Sequence, residues 1–125
     1  MSLSLRVVII EQDDDLRTAF EKIFGEYMGH KIVASLRNGK DGLSFLVGRD
    51  KFVDLVFVNL GLDYSGEEVI RKIKKLYPRI KTILSSGWSE EELEKAATSA
   101  GADGFISKPF DTDGLVKVVG EVFSN

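Results

Sequence analysis

No cysteine occurs in this 125-residue chain, which excludes disulfides and thiolate zinc sites and suits a reducing, cytoplasmic setting. Also missing is any apolar run near the roughly 20 residues of a membrane-spanning helix. The opening MSLSLRVVII lacks the layout of a signal peptide. No membrane partner is expected. Lys and Arg number 17 against 20 Asp and Glu, a formal net charge of -3, and they form no cluster able to neutralise a phosphate backbone. That argues against nucleic acid as a ligand. Histidine occurs once, as His30, ahead of the second apolar run. It is read as a surface residue, too remote to carry a phosphoryl group.

What is present is the composition of an ordinary globular protein, 43% hydrophobic and 30% charged, at a length that fits one domain with a real core. Residues 1–125 are read as that single domain, with Met1 to Ser4 set aside as partly a cloning remnant. Two textures alternate along it. Short β-branched runs at Arg6 to Ile10, Lys31 to Leu36, Val53 to Val58, Ile80 to Leu84 and Gly104 to Ile106 are each followed by a stretch with helical spacing. The first helix is expected to bury Leu16, Ala19, Phe20, Ile23, Phe24 and Tyr27 on one face. The third is expected to bury Val69, Ile70, Ile73, Leu76 and Tyr77, and the last Leu115, Val118, Val119, Val122 and Phe123. A short second helix is expected near Gly39 to Val47. Ser89 before Glu90, Glu91 and Glu92 forms a capping box that starts the fourth helix, and Gly101 ends it.

Strand and helix in strict alternation predict an α/β fold, a flavodoxin-like doubly wound parallel sheet of five strands in the order 2-1-3-4-5. In such sheets function gathers beyond the carboxyl ends of the strands. Those ends carry Glu11, Gln12 and Asp13 after the first strand, Asn59 after the third, Ser85 and Ser86 after the fourth, and Ser107, Lys108 and Pro109 after the fifth. The stretch DLVFVNLGLDYSG, Asp54 to Gly66, raises the sharpest question. A buried apolar strand there delivers one amide to the rim of the sheet.

Taken in order, RVVIIEQDDDLR, DLVFVNLGL with SGEEVIRKIKK, ILSSGW and AGADGFISKPF resemble the receiver domain of bacterial response regulators, chemotaxis-regulator-like, from Arg6 to Val122. In that family the first strand ends in an acidic pair that holds magnesium. The third ends in an aspartate that takes a phosphoryl group from a histidine kinase. By this resemblance the acidic pair falls on Glu11 and Gln12, with Asp13 beside it, and the acceptor falls on Asn59. The family's Ser or Thr falls on Ser86, its switching aromatic on Phe105, and its Lys-Pro on Lys108 and Pro109. An amide is no acceptor, because its lone pairs are delocalised and uncharged. The loop after Asn59 is also one residue shorter than the family's and carries Asp63 where a Pro usually stands.

The resemblance therefore implies a receiver degenerate at its acceptor, with no enzymatic activity of its own. Formal charges of Glu11, Gln12, Asn59 and Lys108 sum to zero, so the pocket balances itself and no cofactor is expected. Glu11 and Asp13 are the remaining weak candidates for the family's magnesium. An ion pair between Glu11 and Lys108, bridged by Asn59 or Gln12, is expected instead. The implied partner is a protein, either a histidine kinase or a downstream effector. It would meet the face made by the fourth helix, fifth strand and fifth helix, on a monomer or weak homodimer. Two other readings stay open. The first is phosphorylation on an unusual acceptor, Asp63 or Asp13. The second is a flavodoxin-like site for FMN or a nucleotide, which EQDDD would disfavour by repelling phosphate.

Overall fold

The computed structural model describes residues 4–59 and 66–124. Five parallel strands, β1 (Arg6–Glu11), β2 (Lys31–Leu36), β3 (Leu55–Asn59), β4 (Lys81–Ser86) and β5 (Gly104–Ser107), form one sheet in the order β2-β1-β3-β4-β5. Between and after them run α1 (Asp14–Lys22), α2 (Gly39–Leu46), α3 (Gly66–Leu76), α4 (Glu90–Ala100) and α5 (Thr112–Val122). The expected fold class and strand order are those observed. No helix among the described residues is long and apolar enough to cross a membrane.

Side chains alternate across a strand with period two, so each strand feeds two cores. Val8, Ile10, Val56, Val58 and Leu84 pack with Leu46 of α2, Ile70 and Ile73 of α3, and Leu93 and Ala97 of α4. On the other face Val7, Ile9, Phe57, Ile83 and Ile106 pack with Phe20 of α1 and with Leu115 and Val119 of α5. β3 is buried along its whole length, as expected of a central strand covered on both sides. α2 lies so close to β1 that a Cβ at Gly42 would stand 2.3 Å from Ile10 Cδ1. At the amino-terminal end of the sheet, the Asp54 carboxylate accepts from Arg6 N–H at 2.8 Å, from Nε at 3.0 Å and from an Arg6 terminal nitrogen at 2.9 Å. Those bonds hold the Asp54 carboxyl below the usual carboxylate range.

The helix ends follow local chemistry. Ser89 Oγ accepts from Glu92 N–H at 3.2 Å, and Gly101 closes α4 at φ 82°, a left-handed conformation that glycine adopts without cost to a Cβ. Several expectations need correction. α1 gives way to a π-helical turn, Ile23–Tyr27. That turn shifts the helical phase and swings Tyr27 out to 65% exposure, while Leu16, in the first turn of α1, is 40% exposed and Ala19 is exposed as well. Leu76 closes α3 at 61% exposure. Val53 follows a 3-10 turn, Asp50–Phe52, instead of opening β3. His30 is half-buried rather than at the surface, because its Nδ1 accepts from Leu5 N–H at 3.1 Å. Burial lowers its pKa.

Candidate functional site

The rim is built by register. Glu11 pairs with Asn59 across β1 and β3, and Asn59 pairs with Ser85 across β3 and β4. Register partners in parallel strands share a face, so these three polar residues form a row one step above the apolar row Ile9, Phe57 and Ile83. Glu11 is 3% exposed and Asn59 1%. Asn59 Nδ2 donates to Glu11 Oε1, and Asp13 N–H donates to Glu11 Oε2 at 2.7 Å. Each oxygen of the buried carboxylate thus has a donor. Among the described residues Asn59 Oδ1 and Ser85 Oγ are buried without a hydrogen-bond partner.

Among the described residues Glu11 makes no ion pair, which corrects the expected pairing with Lys108. The amide of Asn59, fixed in register, reaches the carboxylate instead, and half-buried Lys108 acts on it through space alone. Burial pushes the Glu11 pKa up, opposed by the Asp13 N–H and by the Lys108 charge. A raised folded pKa means that ionising Glu11 disfavours the folded state. Its contribution is fully present below the unfolded carboxylate pKa of about 4.3 and is lost as pH rises through the folded value. Glu11→Gln is therefore expected to flatten the decline of stability above that pH, measured as urea midpoints across the acid range. Parallel profiles for variant and parent would refute the assignment.

The remaining rim residues separate in space. Gln12 and Asp13 are exposed, and Asp13 Oδ1 is committed to the Leu16 N–H at 2.9 Å, capping α1. Ser86 points to the opposite face, where its Oγ accepts from Trp88 N–H at 3.2 Å and its carbonyl accepts from Lys108 N–H at 2.9 Å. Phe105 is half-buried against the core under α3 and α4. Pro109 is exposed and follows a cis peptide bond with Lys108. Phe110 next to it stacks on Phe20 at 6.0 Å between centroids. Asp63, the alternative acceptor, lies outside the described residues.

Sequence reasoning missed Arg17, whose guanidinium donates to the Glu11 carbonyl at 3.0 Å and to Asp14 at 2.7 Å. An Arg three residues after an Asp on a helix was the available signal.

The magnesium ion implied by the resemblance does not fit the donors present. Among the described residues the one buried carboxylate, Glu11, is met by two N–H groups, Asp13 is spent on a helix cap, and the two buried oxygens left without partners are neutral. Magnesium favours carboxylates at octahedral spacing, and no group of three or more acidic or His side chains among the described residues could hold an ion.

Comparison with known proteins places this geometry in context. A family model described as the response regulator receiver domain matches residues 7–120. The response regulator GacA of Pseudomonas aeruginosa is 23% identical over 121 residues, which is 96% of this chain and 56% of that protein. The chain thus spans about half the length of the curated relatives it matches. A CheY-like receiver domain protein from Methanospirillum hungatei superposes with a TM-score of 0.80 at 26% identity, covering 95% of this chain and 93% of that one. A chain of the CheX-CheY-BeF3-Mg+2 complex from Borrelia burgdorferi superposes at 0.86 with 22% identity, covering 95% and 89%, and shares the fold.

Proposed function

Since this chain belongs to the response regulator receiver domain family of two-component signalling, we propose that it acts as a protein-interaction receiver whose state is set without phosphorylation at Asn59. One observation carries the reading. The residue at the end of β3 is an amide that donates to the Glu11 carboxylate, and both are buried. Acyl phosphate formation needs a carboxylate nucleophile at that position. The oxygen that remains on Asn59 is a neutral acceptor with no negative charge to attack phosphorus. The side chain of Asp13 is occupied as the cap of α1, which weighs against it as a substitute.

The same arrangement gives Ser86 and Phe105 a resting place independent of any phosphoryl group. Ser86 holds the chain at Trp88, and Phe105 lies against the core with no hydroxyl of its own to satisfy. Regulation then comes from the binding of a protein partner or from the amount of domain present. The partner of this reading is a kinase or an effector protein that contacts the face of α4, β5 and α5.

The test combines chemistry and spectroscopy. After incubation with acetyl phosphate and magnesium, intact-mass measurement is expected to show no added phosphate. Beryllofluoride with millimolar magnesium is expected to leave the amide resonances of Ser86 and Phe105 in place. Saturable shifts at those residues, or an acid-labile phosphate mapped to Asp63 or Asp13, would replace this reading with that of a receiver using another acceptor.

A further inference from the structure

At the amino-terminal end of the sheet, opposite the rim of Glu11 and Asn59, two connections carry side chains that the core does not use. After α2, Val47 and Phe52 stand 67% and 62% exposed, and Leu76 at the end of α3 is exposed to a similar degree. Single exposed apolar residues are ordinary, but three large ones at the ends of neighbouring helices make a patch. Two observations place them at one corner. Arg79, between α3 and β4, donates through Nη2 to the carbonyl of Asp50, between α2 and β3, at 2.7 Å. Beneath both connections Val53, Tyr77 and Ile80 pack in one core with Leu46.

Cations surround the patch. Arg49, Lys51, Lys72, Lys75 and Arg79 are exposed, and none has a carboxylate partner among the described residues. Lys72 and Leu76 stand one turn apart on α3 and share a flank. Lys74 lies on the other flank, where it donates to Asp103 at 2.9 Å. Of the carboxylates at this end, Asp54 is held by Arg6 and Asp103 by Lys74. The negative end of a helix favours cations, which accounts for Lys75 in the last turn of α3. It does not account for Arg49, Lys51 and Arg79, which lie outside the α-helices.

We propose that this corner between α2 and α3 docks an acidic amphipathic segment of a protein partner, its apolar side chains against Val47, Phe52 and Leu76 and its carboxylates on the surrounding Lys and Arg. The site is separate from the face of α4, β5 and α5 and does not depend on the chemistry of Asn59. Charge and geometry select this occupant. A second copy meeting the same corner across a two-fold axis would set cation against cation. A phosphate backbone would leave the three apolar side chains uncovered. Against a lipid surface the positions of the guanidinium groups would count for little, because headgroups rearrange around any cation. Here they are fixed: Arg49 donates to the Phe45 carbonyl at 3.1 Å and lies 5.0 Å over the Phe45 ring, and Arg79 is tied to Asp50. A planar fork held in place, with N–H groups to spare, suits the carboxylates of an ordered segment.

The experiment uses the full chain and two synthetic helical peptides, one of leucine and glutamate with the leucines on one face, the other with lysine in place of glutamate. Titration followed by amide NMR is expected to move Val47, Phe52, Leu76 and Arg79 with the glutamate peptide and to leave them unmoved with the lysine peptide. Affinity for the glutamate peptide is expected to fall roughly tenfold between low and physiological salt, because exposed charges are screened. Lys51→Glu with Lys72→Glu is expected to weaken it by about tenfold at low salt, and Phe52→Ser by a similar factor, about that of losing an aromatic anchor. Lys22→Glu, the same change of charge on α1, is expected to leave it unaltered. Lys51, Lys72 and Phe52 are exposed, so the variants should keep the parent's amide spectrum away from the corner.

Equal binding of both peptides, shifts that map to another face, no shifts at all, or an equal loss from Lys22→Glu would each overturn the proposal. Phosphatidylserine vesicles and a single-stranded oligonucleotide are run as competitors. Displacement of the glutamate peptide by either, at a lower concentration than the unlabelled peptide requires, would assign the corner to a lipid surface or to nucleic acid instead.

Discussion

Asn59→Asp is expected to lower stability by about 3 kcal/mol at neutral pH, since it leaves a buried charge without its partner. The substitution removes the Nδ2 donor and sets a second carboxylate against Glu11 in a place where Asn59 is 1% exposed. Like charges that close cannot both ionise freely, so the pair titrates with raised apparent pKa values. The folded state then binds more protons than the unfolded chain, and stability falls as pH rises above the unfolded carboxylate range near about 4. The slope approaches about 1.4 kcal/mol per pH unit. Below that range both carboxyls are protonated and the variant should approach the parent. Urea midpoints of variant and parent across pH check this, and a pH-independent difference would refute it.

Phosphate from acetyl phosphate is expected to be slight or absent on this single variant. With Gln12→Asp added, magnesium is expected to raise the midpoint, because an ion that binds only the folded form stabilises it.

Phe57→Ala is expected to cost about 4 kcal/mol, the range for deleting a fully buried aromatic. Phe57 is 0% exposed at the centre of the face under α1 and α5. Its ring meets Phe20 edge-on at 4.9 Å and Phe24 at 5.3 Å between centroids. Each such pair adds about 0.5 to 1.5 kcal/mol beyond area burial. Both partners come from the continuous first helix and its π turn, so the variant should loosen that segment from the sheet. Tyr27→Ala, at the end of the π turn and well exposed, should stay within about 0.5 kcal/mol of the parent. Chemical denaturation of the two variants side by side measures both, and a loss below about 1.5 kcal/mol for Phe57→Ala would show that the helix collapses into the space.

The contrast between Phe57 and Tyr27 shows where the sequence could be read and where it could not. Alternation within β1 and β3 separates the two cores residue by residue, and Ser89 and Gly101 mark both ends of α4, because each of these signals is local. Helical periodicity said which residues shared a face but not how far the sheet covers it. Leu16 and Leu76, near the ends of their helices, continue the pattern yet stay largely exposed, and the π turn shifts its phase at Tyr27. The site behaves likewise. That polar residues gather at the strand ends follows from alternation of strand and helix. That Glu11 meets Asn59 rather than Lys108 follows from the pairing of β1 with β3, and a sum of formal charges carries no distances. The sequence offers Asp13 as a weak magnesium ligand, and the backbone at the start of α1 makes it a cap.

The pairing of β1 with β3 is closed at both ends, by Arg6 with Asp54 and by Glu11 with Asn59, each joining residues 48 apart in the chain. Parallel neighbours made almost wholly of Val, Ile, Leu and Phe have little in their middle to tell one alignment from the next. A slip of one residue would turn the apolar side chains to the wrong face and would separate both polar pairs at once. Asn59 thus takes part in setting this alignment, whatever its role in signalling. Loss of its bond to Glu11 would leave Arg6 with Asp54 as the polar pair that marks the register of these two strands.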